Sequence, residues 1–196
     1  MISPYSAAAA IWLIWLVGWW LGALGTAKSV SRESPASQLS YTIFNWIGAV
    51  LLFFTPIRGG IFSRALYPPS QLVAWIAVIV VAIGLAYSVW ARLHLGRLWS
   101  AVVTVKAEHR IIRTGPYTLT RHPIYTGMLL ALIATVVVRN TVVSLIGCAL
   151  IATGLVLKVR REERMLLDHF GADYQAYQQA VPRLVPRPWH RRTENV

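Results

Sequence analysis

Apolar residues along this chain gather into five runs, and the charged residues fall between and after them. The first run carries no Asp, Glu, Lys or Arg from Met1 to Ala27. Its core, Ala7 to Leu24, would make about 27 Å of helix, close to the ~30 Å hydrocarbon core of a bilayer. With no Lys or Arg before Lys28 it reads as a retained helix rather than a cleaved leader. A second span is expected from Tyr41 to Thr55, ended by Pro56, and a third from Leu72 to Trp90. Two more follow, Ile124 to Val138 and Thr141 to Leu157, joined only by Arg139-Asn140, a connection that allows nothing but an antiparallel hairpin. Both are brief for a full crossing, so local bilayer thinning or snorkelling of flanking residues is expected. Gly18, Gly22 and Gly25 give the first span a small-residue face. Gly127, Ala131 and Ala134, opposite Ser144, Gly147 and Gly154, are expected to let the two hairpin helices approach.

The polar segments are less regular. Between Trp99 and Arg121 the apolar alternation is short and broken by Gly115-Pro116, which predicts an ordered loop. After Leu157 the helical pattern continues to Phe170 and stops at Gly171, a plausible C-terminal cap. A short helix from Asp173 to Ala180 would place Tyr174 and Tyr177 on one face with Val181, and Pro182 ends it.

Composition sharpens this picture. Of the 196 residues 56% are hydrophobic and only 13% charged, about half the charged share of a soluble chain, which excludes intrinsic disorder. The net charge of +12 does not indicate a nucleic-acid partner on so apolar a chain. Basic residues here follow the rule for cytosolic loops. Two lie in loop one, six in loop three and eight after the fifth span, against Arg58, Arg64 and Arg139 on the other side. Loop three and the C-terminus are therefore expected in the cytosol, with the N-terminus opposite, and all seven acids and five histidines share the cytosolic side. A single cysteine excludes an intrachain disulfide framework and a thiolate-rich metal site. The fold class that follows is an all-α integral membrane protein of about five transmembrane helices, one domain over 1–196.

Candidate chemistry is confined to two places. Arg121-His122-Pro123-Ile124-Tyr125 opens the fourth span, with Pro123 suited to a first helical turn and His122 biased away from helix. Free amides and a partial positive charge beside Arg121 and His122 could receive a carboxylate or phosphate; equally, the two side chains could only anchor the helix at lipid headgroups. Where the fifth span ends, Lys158 and Glu162 are four residues apart on one face. They could form a simple ion pair, or Glu162 could face a polar cavity, since an acid near the membrane is costly otherwise. No dinucleotide fingerprint, P-loop, HExxH or GxSxG motif is present.

Together these residues resemble a known family. His94-Leu95-Gly96-Arg97-Leu98-Trp99-Ser100, His109-Arg110-Ile111-Ile112, Gly115-Pro116-Tyr117, Arg121 to Tyr125 and Glu162-Glu163 are similar to motifs of the isoprenylcysteine carboxyl methyltransferase family. Phe170-Gly171, Tyr174, Tyr177, Val181, Arg183 and Pro186 continue the match in order. The resemblance runs from about Leu93 to Pro186 and divides the chain into three N-terminal spans (1–92), a catalytic half (93–186) and a basic tail (187–196). It implies a multispan methyltransferase using S-adenosylmethionine (SAM), with a cytosolic cofactor pocket made by loop three and the C-terminal segment. By position, the cofactor-binding residues would be His109, Arg110, Ile111, Ile112, Tyr117, His122, Pro123, Ile124, Tyr125 and Glu162, with no metal. The implied acceptor is a prenylated cysteine carboxylate, or something similarly lipophilic, drawn from the bilayer, with membrane lipid around it and no obligate protein partner. The family's arginine four residues before the cofactor glutamate is Lys158 here, a point charge rather than a fork. Lys158 and Arg121 are the catalytic candidates, with Arg161 as another source of the fork. Rival readings are a phospholipid N-methyltransferase, a sterol-type reductase binding NADPH through Arg110 and Arg113, and a non-enzymatic scaffold gripping anionic lipid with its tail.

Overall fold

A computed structural model describes residues 2–22, 29–32, 34–54, 59–96, 99, 104–106 and 111–187. The five apolar runs become helices α1 (Pro4–Leu21), α2 (Pro35–Ala49, prolonged by a wider turn over Val50–Phe54), α3 (Gln71–Leu95), α4 (Pro123–Arg139) and α5 (Val142–Phe170), followed by α6 (Ala172–Ala180). Four are long and apolar enough to cross a membrane, and α4, with 17 residues, is a shorter apolar helix. Their outer faces leave Leu13, Trp20, Trp46, Phe54, Ile79 and Ile133 exposed, an apolar surface suited to acyl chains.

Helix starts follow simple capping chemistry. Ser3, Ser34, Ser70 and Thr141 each accept an amide hydrogen bond from the first turn of the helix they precede. Prolines enter α1, α2 and α4 in the first turn, where no partner for an N–H is lost. Gly171 ends α5 at φ 53°, a conformation that favours glycine, and its amide returns to Leu167.

The chain is not purely helical. Ser29–Arg32 (β1) and Thr104–Lys106 (β2) form a two-stranded antiparallel ribbon, so loop one and part of loop three pair directly. The segment from Trp99 to Arg121 is expected to be an ordered loop with a short apolar alternation, and the alternation from Val103 to Lys106 is the signal for this strand.

Glycine packing differs from expectation. α4 and α5 do not use their small residues on each other. Instead α3 runs along α4 and α2 along α5. A Cβ on Gly127 would lie 2.4 Å from the Gly84 carbonyl oxygen, and one on Gly84 2.7 Å from that of Gly127. Gly48 and Gly147 repeat this reciprocity at 2.6 and 2.7 Å, and Gly154 packs against Tyr41 and Asn45 of α2. Each hairpin helix thus presents its glycines to a neighbour outside the hairpin, because two spans joined by so short a turn need no further seam to stay together. Gly18 meets nothing, Gly22 faces the Arg92 guanidinium, and Gly25 lies outside the described residues. α1 docks through Trp12 and Trp15, which lie in the buried apolar core and also make polar bonds: the Trp12 indole N–H donates to Thr135 of α4 and that of Trp15 to Ser88 of α3, both at 2.9 Å. Such interhelical bonds contribute about 0.6 kcal/mol each in a membrane.

Candidate active site

Charged residues converge where α4 begins and α5 leaves its apolar stretch. His122 precedes α4 at φ −126°, ψ 61°, outside helical geometry as Pro123 requires. Its ring stacks near Tyr125, centroids 5.9 Å apart. Nδ1 lies 3.4 Å from a Glu162 oxygen and Nε2 3.3 Å from a Glu163 oxygen. The Tyr125 hydroxyl donates to the other Glu162 oxygen at 2.6 Å. Burial works against charge on His122, but the hydrogen bonds to Glu162 and Glu163 and their negative charges outweigh it and raise its pKa above the ordinary value.

Glu163 is the hub of this cluster, only 3% exposed. Arg121 grips one of its oxygens through Nε at 2.9 Å and a terminal nitrogen at 2.7 Å. Arg183 grips the other through Nε at 2.8 Å and a terminal nitrogen at 2.6 Å. Arg121 further donates to the carbonyls of Gln178 and Val181. Around it, residues 181–184 lie along the α4 entrance as a strap. The Arg121 amide donates to Pro182 O at 2.8 Å, the His122 amide to Arg183 O at 3.1 Å, and the Thr126 hydroxyl to Leu184 O at 2.6 Å.

A second wall is aromatic. Tyr117, Ile124, Ala91 and Trp99 form a buried cluster joined by Ile112 and Tyr125. The Tyr117 ring stacks near His94, and its carbonyl accepts the Tyr177 hydroxyl at 2.7 Å. Burial, then the Glu162 charge, pushes the Tyr117 phenol well up. Burial raises Tyr177 to about 12, with Arg121 and Arg113 opposing, so both phenols stay neutral donors at physiological pH.

Of the residues singled out in the sequence, Ile112, Tyr117, His122, Pro123, Ile124, Tyr125 and Glu162 are brought together. Ile111 is half-buried beside them in sequence, whereas His109 and Arg110 lie outside the described residues. Lys158 Nζ sits 5.7 Å from the Tyr125 ring and 5.8 Å from that of Tyr41, and its charge faces Glu162. Arg121 is committed to Glu163 and the strap, and Arg161 donates to the Ser37 carbonyl and hydroxyl of α2. The Arg161 guanidinium also lies 5.8 Å from the Tyr41 ring, the ring that Lys158 approaches, whereas that of Arg121 is taken up by Glu163 and the strap. Arg113, considered for a nucleotide phosphate, donates to Asp173 O at 2.6 Å. Glu163 and Arg183, which stand in the sequence only as members of the family-like motifs, are central to the cluster. The available signal was an acid adjacent to Glu162 in a chain with seven acids, where a second buried carboxylate demands cations.

The fold and this cluster define a multi-pass helical membrane protein with a carboxylate–histidine–tyrosine cluster where α4 begins and α5 leaves its apolar stretch. Residues 75–168 match the sequence model of the isoprenylcysteine carboxyl methyltransferase (ICMT) family, which bears out the resemblance carried by the motifs. Among curated relatives, a probable protein-S-isoprenylcysteine O-methyltransferase of Oryza sativa subsp. indica is 30% identical over 117 residues, 58% of this chain and 61% of the relative. The protein-S-isoprenylcysteine O-methyltransferase of Xenopus laevis is 28% identical over 130 residues, 63% of this chain and 45% of the relative. A methanethiol S-methyltransferase of Bradyrhizobium diazoefficiens is 41% identical over 78 residues, 39% of this chain and 29% of the relative. The matches thus span only part of the relatives' length. A solved structure of a eukaryotic intramembrane Ras methyltransferase, ICMT, superposes with a TM-score of 0.50 at 23% identity, covering 80% of this chain and 54% of the other, a likeness of fold.

Proposed function

We propose that this chain transfers a methyl group from SAM to the carboxylate of a prenylated cysteine, or a similarly lipophilic acceptor, at the cytosolic face of the membrane. The observation that carries this reading is the arrangement around Glu162: a carboxylate fixed by the Tyr125 hydroxyl and the His122 ring at the N-terminus of α4. The residues fit such a cofactor. Helix geometry leaves the amides of Ile124 and Tyr125 outside the α4 ladder, donors suited to the amino-acid carboxylate. Glu162 suits the ammonium, and Ile112, Tyr117 and Ile124 offer apolar surface for the base. The position of Lys158 near the Tyr125 and Tyr41 rings illustrates that these faces accept a cation.

Bound there, SAM supplies an electrophilic sulfonium methyl group. The chain's own part is alignment and charge. A carboxylate acceptor is already anionic at neutral pH, so no residue need remove a proton, and catalysis rests on holding the reacting atoms close and in line. Lys158 is the cation that orients the acceptor; Arg121 acts at a distance, by fixing the strap and Glu163. Five crossings with loop three and the C-terminus in the cytosol would let SAM arrive from water and a prenyl chain from the bilayer. The pairing of β1 with β2 supports a common side for loops one and three.

The test is incubation of purified protein with methyl-labelled SAM and farnesylcysteine derivatives. A base-labile labelled ester is expected, far less from unprenylated cysteine, since ten buried CH₂ groups contribute several kcal/mol at ~0.8 each. Lys158→Ala should lower turnover about tenfold with cofactor affinity nearly intact, and Lys158→Arg should retain it. Labelled phosphatidylethanolamine without ester would overturn the carboxylate reading. A second reading is favoured by the 41% identity to a methanethiol S-methyltransferase: a thiol acceptor at the same cleft. Its product, a base-stable thioether, separates the two in one assay.

A further inference from the structure

We propose that Glu163 is a positioning residue for Glu162: it holds His122 as an imidazolium bridge between the two glutamates and couples that bridge to the C-terminal strap. The proposal rests on Glu162 being the cofactor carboxylate. Neighbouring side chains leave a helix about 100° apart, so Glu162 and Glu163 cannot share a partner unless a third group reaches both. His122 does, with a carboxylate oxygen 3.4 Å from one ring nitrogen and 3.3 Å from the other. A neutral imidazole has one N–H and one lone pair, and would set that lone pair against one of the carboxylates; the imidazolium donates to both. The bridge aims one Glu162 oxygen while Tyr125 holds the other.

Every element packed here contributes a charged or titratable group. Glu162, Glu163 and Lys158 come from α5, Tyr125 from α4, Arg121 from the preceding turn, Tyr117 from the turn at 115–118, Tyr174 from α6 and Arg183 from the strap. Two arginines pin Glu163, so it stays anionic and immobile while it pairs with His122. Without that charge, His122 would face two guanidinium groups and a single carboxylate partner. Its proton would leave more readily, and Glu162 would lose the donor on one oxygen. A carboxylate that only stapled the strap to α5 would instead affect folding and leave the pH dependence of ligand binding alone.

Calorimetry of the full chain in detergent, titrated with S-adenosylhomocysteine across pH 6 to 9, tests this. The wild-type chain should bind with an affinity that declines at alkaline pH. Folded Glu163→Gln should bind at least about tenfold more weakly at pH 7.5, recover part of the loss at pH 6, and show its alkaline decline about one pH unit lower. Glu163→Asp should fall between the two. Wild-type binding with an unchanged affinity and alkaline limb in Glu163→Gln would overturn the proposal. If wild-type protein binds no ligand at any pH, the cofactor reading itself fails. The bridge is then still decided by ring-labelled histidine spectra of the wild-type chain, which also serve if Glu163→Gln does not fold. One of the five histidines should remain charged at pH 7.5. Five histidines titrating at or below the ordinary value of about 6.5 would refute the bridge.

Discussion

At the Asn140 end of the α4–α5 hairpin, polar groups are satisfied almost entirely by backbone. Asn140 turns the chain at φ 49°, its side-chain oxygen accepts from the amides of Leu66 and Tyr67 at 3.1 Å, and its amide group donates to Tyr67 O at 2.9 Å. The Tyr67 hydroxyl closes on Val137 O. At the other end the same two helices hold Glu162, Glu163, His122 and Arg121 in contact, with Arg183 added from the strap. One end fixes geometry mainly with neutral groups, its nearest charge being Arg139 over the Tyr5 ring. The other concentrates groups that can gain or lose protons and bind charged ligands. A hairpin locked at one end can carry costly charges at the other without splaying.

This contrast can be broken at several points. The largest effect is expected from Glu162→Gln, which leaves the Tyr125 donor facing a neutral amide. About a hundredfold loss in kcat/KM, near 2.7 kcal/mol, should appear in protein that still unfolds cooperatively, with a shallower pH dependence of melting because His122 loses one carboxylate partner. A mutant with normal activity would make the charged end merely structural. In the second turn of α5, Gly147→Leu would place its Cβ 2.7 Å from the Gly48 carbonyl oxygen. It should destabilise the protein by about 1–3 kcal/mol in detergent unfolding, irrespective of ligand.

At the neutral end, Asn140→Ala removes three hydrogen bonds and a residue tolerant of positive φ. About 1–2 kcal/mol of stability should be lost, while cofactor affinity per folded molecule stays within about twofold. A selective loss of affinity would show that the two ends are coupled after all. The smallest effect is a pH slope. The pKa of His122 is raised in the folded protein, so its contribution to stability is complete below the unfolded value near 6.5 and is lost as pH rises through the folded value. Melting temperature should therefore decline from pH 6.5 upward in wild type, and this slope should vanish in His122→Asn. An identical slope in the variant would assign the pH dependence elsewhere.

Both ends were partly readable in advance. Arg139-Asn140 between two apolar runs demanded a hairpin, and a proline after His122 demanded a helix start. The glycines were visible as small-residue faces, but their partners were not, because a glycine records close approach without naming the surface that approaches. Gly127 looked toward α5 by sequence proximity and packs on Gly84 instead. Arg121 looked like a candidate for the acceptor, since a guanidinium beside a helix N-terminus suits an anion. Its anion is Glu163, 42 residues away.

Hydropathy, charge asymmetry and local turn chemistry act over one or two turns of chain. On its own the sequence therefore determined the five helical spans, the start of α4 at Pro123 and the end of α5 at Gly171, the tight hairpin and the segment of the chain where polar chemistry gathers. By contrast, α2 begins six residues before its expected start and α3 ends five beyond its expected stop. The partners of each helix face, the ribbon between loops one and three, and the union of Glu162, Glu163, His122 and Arg183 were decided only by tertiary structure. Each depends on segments distant in sequence sharing one volume. A buried carboxylate takes whichever cations the packed helices bring within about 3 Å, and no spacing along the chain encodes that meeting.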